Sequence, residues 1–263
     1  MSEETKESPR TLVWFSAGAA SAVAAKIVLS ETTDHSNIVI AYTDPGSEHP
    51  DNARFLDDCE KWFDHPIMKL KSEKYEDTWD VWESTRFLVS AVGARCTAEL
   101  KKKVRYGFER PDDIQVFGFT SEEKHRADRF REQNPGVELR TPLIEKGLTK
   151  DDTLALIQRS GIDLPFMYSL GYRNNNCIGC VKGGMGYWNK IRVDFPETFD
   201  RMAMLEREIK HSILRSNGEA VYLDELDPNR GNHLKEPSFE CSIICAETEE
   251  SFVVVDDTED CDE

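Results

Sequence analysis

The stretch Thr11-Leu12-Val13-Trp14-Phe15-Ser16-Ala17-Gly18-Ala19-Ala20-Ser21-Ala22-Val23-Ala24-Ala25 decides the fold. Its opening run is apolar, β-branched and aromatic, which predicts a buried strand. Small residues then make a tight turn, and residues 19–29 continue as a helix with hardly any polar face. A strand feeding a buried helix through such a turn is the opening unit of a parallel sheet.

Outward from that unit the alternation repeats. Residues 37–43 form a second β-branched run, closed by Asp44-Pro45-Gly46. Residues 52–63 carry helical spacing through Phe55, Leu56, Cys59, Trp62 and Phe63. Further strands are expected at 66–70, 114–119 and 137–144, the last broken by Pro142, which marks an edge position or a strand end. A charged helix is expected at 122–133. The sum is an α/β fold, a doubly wound parallel sheet over residues 11–145, in which ligands sit beyond the carboxyl ends of the strands. Residues 146–215 read as a mostly helical, cysteine-containing part. It includes a helix over 150–160 capped by Thr149, an irregular segment over 168–186 and helices over 187–193 and 196–214. Residues 1–10 read as a disordered start, 216–245 as irregular, and 246–263 as an acidic tail without Lys or Arg.

The formal net charge is −17, which disfavours a dedicated duplex-DNA binder. Lys101, Lys102, Lys103, Arg105 and Arg110 reverse that balance locally and leave room for a small polyanion. No apolar run approaches the roughly 20 residues needed to span a bilayer, and no signal segment is visible, so a cytoplasmic location is expected.

Three turns are expected to share one site. In the first, backbone N–H groups around Ser16, Ala17, Gly18 and Ser21 can approach an oxyanion at a helix N-terminus, and tight packing is the competing explanation for the same residues. In the second, Asp44 and Gly46 contact ribose or a metal, or simply form the turn. In the third, Arg126 suits bidentate phosphate contact, with Lys124 and Arg140 expected to face the same crevice, and a solvated helix face explains Lys124 equally well.

The seven cysteines include two close pairs, Cys177/Cys180 and Cys241/Cys245. Cys177-x-x-Cys180 suits a zinc knuckle, an iron–sulfur ligand pair or a redox dithiol. Cys96, Cys241 and Cys245 are the candidate further ligands. Lys182, followed by Gly183 and Gly184, can hold a phosphate beside the second thiol or be a solvated turn lysine.

Ser16-x-Gly18-x-x-Ser21 resembles the pyrophosphate loop of the PP-loop, or adenine-nucleotide α-hydrolase-like, superfamily. The segment Tyr42-Thr43-Asp44-Pro45-Gly46-Ser47-Glu48-His49-Pro50-Asp51-Asn52 resembles the second loop of its phosphoadenosine-phosphosulfate reductase branch. The run Leu170-Gly171-Tyr172-Arg173-Asn174-Asn175-Asn176-Cys177-Ile178-Gly179-Cys180-Val181-Lys182-Gly183-Gly184 is similar to a reductase-like subgroup familiar from bacteriophage genomes. Together the similarity covers about residues 11–209. It implies ATP or another adenine nucleotide, with Mg beside the phosphates, and sulfur transfer, sulfonucleotide redox chemistry or adenylylation assisted by Cys96, Cys177 and Cys180. It also implies a [4Fe–4S] cluster or zinc on those cysteines with Cys241 and Cys245, a tRNA or other nucleic-acid acceptor, a homodimer, and host cytoplasm for a phage-encoded chain. Two departures stand out. Ala17, Ala19 and Ala20 replace a Gly, the Lys and the Asp of the usual loop, and Glu240-Cys241-Ser242 is the nearest approach to the reductases' C-terminal cysteine segment. A nucleotide sensor or sponge, and a metal-stabilised RNA- or partner-binding protein, are the alternatives.

Overall fold

Strand β1 (Thr11–Phe15) is buried on both faces, with Val13 and Phe15 in one apolar layer and Leu12 and Trp14 in the other. Successive side chains of a strand point to opposite sides, so a run apolar at every position must be covered twice. The structure is a computed structural model and describes residues 9–90, 93–237 and 239.

After β1 come α1 (Ala19–Ser30), β2 (Ile38–Asp44), α2 (Asn52–Phe63) and β3 (Ile67–Lys71). The chain then leaves the sheet through α3 (Thr78–Thr85) and the short strands β4 (Val89–Ser90) and β5 (Gly93–Ala94). A π-helical turn (Thr97–Lys102) runs into α4 (Lys103–Phe108) before β6 (Ile114–Val116) rejoins the sheet. A 3-10 turn (Ser121–Glu123), α5 (Lys124–Gln133) and β7 (Leu139–Arg140) complete the sheet. The second half is α6 (Pro142–Glu145), α7 (Lys150–Arg159), α8 (Phe166–Ser169), α9 (Met185–Asp194) and α10 (Pro196–Ile209). It ends in a hairpin of β8 (Leu214–Ser216) and β9 (Glu219–Val221) and a 3-10 turn (Leu223–Glu225).

The central sheet is five-stranded, all parallel, in the order β3-β2-β1-β6-β7. The chain builds outward from β1 to β3 and then returns to the other side of β1. That reversal opens a crevice between the turns that follow β1 and β6. One face is covered through Ala22, Val23, Phe55, Leu56 and Ile157, and the other through Phe117, Ala127 and Phe130. This is the doubly wound α/β arrangement expected from the alternation.

A second core forms beside the sheet from α3, the π-helical turn, α9 and α10, around Trp82, Leu100, Tyr187, Trp188 and Met202. Glu206 of α10 fastens the C-terminal hairpin to it. Its carboxylate accepts from the backbone N–H groups of Ile213 at 2.5 Å and Leu223 at 2.7 Å. Burial pushes this carboxyl up to about 7, against the opposing effect of those two donors.

Several boundaries differ from the sequence reading. Only Leu139 and Arg140 of the expected 137–144 strand are in the sheet, because Pro142 opens α6. A proline has no N–H to give a ladder, and its fixed φ suits a helix's first turn. The strand expected at 114–119 stops at Val116, and its continuation forms the crevice turn. The helix expected to reach residue 214 ends at Ile209, where Lys210 turns left-handed at φ 57°. Within 216–245, expected to be irregular, β9 and the 3-10 turn are ordered. No helix of the described residues is long and apolar enough to cross a membrane.

Candidate functional site

The turn between β1 and α1 is closed from within. The Ser21 hydroxyl accepts from the Ser16 N–H at 3.0 Å and donates to the Gly18 carbonyl at 3.0 Å, with the Ser16 hydroxyl 3.1 Å away. Ser21 is thus spent on the shape of the turn. Ala17 takes φ 54°, a left-handed conformation that costs a residue with a Cβ roughly 1 kcal/mol or more. Gly18 is the N-cap of α1, and no side chain caps that helix. The first-turn amides of a helix have no partner inside it, so here an oxyanion is the natural acceptor. Gly118, in the turn after β6, lies against the same first turn, and a Cβ there would stand 2.7 Å from the Ser21 Cα. The two sides of the crevice therefore touch through backbone. Tyr168 of α8 approaches from outside, its hydroxyl 3.5 Å from where a Cβ of Gly18 would be.

A chain of buried polar groups joins this turn to the next. The Asn175 amide nitrogen donates to the Ala17 carbonyl and to Asn52 Oδ1, both at 2.8 Å. Asn52 in turn donates to Glu48 Oε2 at 2.7 Å, and the Tyr42 hydroxyl donates to the same oxygen at 2.8 Å. Lys101 stands 3.8 Å from the other Glu48 oxygen, and both side chains are almost fully buried. Burial is the largest influence on Glu48 and raises its carboxyl above the ordinary range, with Lys101, Tyr42 and Asn52 pulling the other way. In the second turn, Asp44 accepts from the Gly46 N–H at 2.8 Å, the turn-forming role. Gly46 has φ 69°, and a Cβ on it would lie 2.4 Å from the Glu76 carbonyl oxygen.

The Cys177-x-x-Cys180 segment is fastened to this network. The Ile178 N–H donates to the Ser47 carbonyl at 3.0 Å, and Ser47 also holds Thr78 at the start of α3. Tyr187 spans the segment from below. Its hydroxyl accepts from the Cys180 N–H at 3.0 Å and donates to the Cys177 carbonyl at 3.3 Å. Cys96, Cys177 and Cys180 are all buried, and Cys96 and Cys180 share the second core. Cys177 lies near enough to Tyr42 to add to the upward push that burial gives that hydroxyl. Among the described residues no three His, Cys, Asp or Glu side chains gather at metal-ligating spacing. Cys241 and Cys245 lie outside the described residues.

The cationic candidates separate. Arg126 is buried at the start of α5, ion-paired with Glu123 and 5.1 Å over the Phe119 ring. Lys124 is exposed and pairs with Asp128 at 2.7 Å. Arg140 does not face the crevice. It pairs with Glu31 at 2.6 Å, at the C-cap of α1, because that helix runs back along the sheet and ends at the opposite edge. The basic run does not form one exposed face either. Lys101 turns in to Glu48, Arg105 is buried beside Glu109 at 2.7 Å, and Lys103 reaches buried Glu99 at 2.6 Å. Lys182 is buried, but the helix N-terminus just beyond it is taken. Glu236 accepts from the N–H groups of Gly186 at 2.5 Å and Tyr187 at 3.1 Å. Gly183 and Gly184 serve packing, since a Cβ would meet the Tyr187 ring at 1.9 Å and the Glu236 carboxyl at 2.9 Å.

Glu48, Asn52, Lys101, Tyr168 and Asn175 were not among the site residues expected from the sequence. Their only signal was position within the second loop, the basic run and the asparagine-rich segment. No protein-family model matches the chain, and no curated protein matches it.

Proposed function

We propose that the chain is an adenine-nucleotide-binding enzyme of the phosphoadenosine-phosphosulfate reductase-like type. The nucleotide's phosphates lie on the amides of the turn between Ser16 and Ser21, from Ala17 into the first turn of α1, since the Ser16 N–H is taken by the Ser21 hydroxyl. Sulfur transfer, sulfonucleotide reduction or adenylylation is assisted by Cys96, Cys177 and Cys180. The carrying observation is the uncapped first turn of α1 at the reversal of strand order, with the cysteine segment hydrogen-bonded to the same turns. A ligand gripped there has buried thiols on elements fastened to its binding loops. Cys96, Cys177 and Cys180 would suit a [4Fe–4S] cluster with one open iron, and a fourth cysteine, Cys241 or Cys245, would suit a closed structural metal.

One observation favours a second reading. The turn has Ala17, Ala19 and Ala20 where the resembling loops carry a Gly, a Lys and an Asp. Backbone donors survive those replacements, whereas side-chain help for phosphate cleavage does not. A protein that holds its nucleotide without cleaving it fits that loop.

Calorimetric titration with ATP tests the site, and Gly18→Val is the informative variant. A Cβ at Gly18 meets only ordinary contacts, 3.5 Å from the Tyr168 hydroxyl and 3.6 Å from the Ser16 hydroxyl, so the backbone accepts a side chain there, and near-ultraviolet circular dichroism checks that the valine variant folds. Loss of binding is expected, and undiminished binding rejects the site. Pyrophosphate release from ATP separates an enzyme from a holder. Iron, sulfide and zinc analysis after anaerobic purification decides the cysteine chemistry.

A further inference from the structure

The amide of Asn175 has a fixed orientation. Ala17 O is a carbonyl and accepts only, and Asn52 presents Oδ1 because its nitrogen is committed to Glu48. Both hydrogens of Asn175 Nδ2 are therefore spent, and a flipped amide would set its oxygen against two acceptors. What is left is Oδ1. The residue is 7% exposed, and this oxygen accepts no hydrogen bond among the described residues. A buried acceptor without a donor is costly, and native proteins tolerate one mainly where water or a ligand completes it.

We propose that Asn175 Oδ1 is a ligand-binding acceptor that takes a sugar hydroxyl of the nucleotide held on the β1–α1 turn. The ionised phosphates have no proton to give, so this atom cannot be part of the phosphate grip. It needs a hydroxyl or N–H donor. Asn175 stands one hydrogen bond from Ala17, inside the phosphate turn, and the ribose is the first donor-bearing group along the ligand from its phosphates. The base lies farther out. The inference deepens the nucleotide-binding reading and rests on it.

The test is titration of the full chain with ATP, 2′-deoxy-ATP and 3′-deoxy-ATP. Removing the hydroxyl that Asn175 accepts should weaken binding about tenfold, the usual consequence of leaving one buried polar atom unpaired. Asn175→Ala should bind ATP more weakly and bind both deoxy analogues equally with ATP. Asn52→Ala removes the brace but keeps the acceptor, so it should lower all affinities while preserving the preference. Asn175→Ser covers the case in which alanine does not fold, judged by near-ultraviolet circular dichroism, and should likewise lose the preference. Wild-type protein that binds ATP and both analogues equally overturns the assignment, as does a preference that survives in the folded Asn175 variant. Asn175 is then a brace completed by water. Wild-type protein that binds no ATP fails at the earlier step and rejects the nucleotide reading itself.

Discussion

Gly118 lies flat against Ser21, so that a Cβ on Gly118 would stand 2.7 Å from the Ser21 Cα and 2.8 Å from its nitrogen. The first turn of α1 and the turn after β6 therefore meet through backbone here, and this contact fixes how closely they approach. Gly118→Ala must push α1 and the β6 turn apart. It should cost about 2 kcal/mol in urea unfolding, the usual range for overpacking, and weaken ATP binding in calorimetry. An alanine variant with unchanged stability and binding would show that the two turns move independently.

Lys101 and Glu48 form a buried ion pair between the π-helical turn and the second loop. Lys101→Met strips the carboxylate of its cation and should destabilise by about 3 kcal/mol, the range for a broken buried pair. Without the cation, the Glu48 carboxyl moves further up, so the deficit should be larger at pH 8 than at pH 5. Adding Glu48→Gln should recover more than half of it. Chemical denaturation of the two variants at both pH values checks this.

Tyr187 organises the cysteine segment through one hydroxyl. Tyr187→Phe leaves the Cys180 N–H buried without its acceptor, at a cost of about 1–3 kcal/mol. Cys177 and Cys180 should then react faster with a thiol reagent than in wild type. Unchanged reaction rates would mean that the segment is held by its other contacts, such as Ile178 to Ser47.

Glu206 supplies a pH dependence with a defined sign. Its carboxyl is raised to about 7 in the folded chain, from an ordinary unfolded value near 4.5. The folded state therefore holds the proton more tightly, and this contribution is full below the unfolded value and lost as pH rises through about 7. Up to about 3 kcal/mol disappears between pH 5 and pH 8 by linkage. Glu206→Gln should flatten that slope in denaturation curves taken across the range. A variant as steep as wild type would assign the dependence elsewhere.

Much of the architecture was legible because it rests on local pattern. The apolar run 11–15 and the spacing of Phe55, Leu56, Cys59 and Phe63 read correctly, since strand and helix periods differ and each must bury its apolar side. Thr149 and Asp152 form the reciprocal cap that starts α7. Pro142 marked an edge strand and its end, as β7 shows, but not the helix that starts there, because the same restriction suits both and only the neighbours choose. Which lysines of the basic run face inward was not legible, because for Lys101 it depends on a carboxylate more than fifty positions away.

By itself, then, the chain determined an α/β sheet, the turn of small residues after its first strand, and the capped helix of its second half, because these follow from periodicity and backbone sterics within a few residues. Tertiary structure alone decided that Asn175 holds Ala17 and Asn52 together, that Gly118 seals against Ser21, and that Arg140 points away from the crevice. Those relationships join residues far apart in the chain. Each depends on burial, which makes an unpaired polar atom costly and a paired one decisive, and burial exists only once the layers have closed.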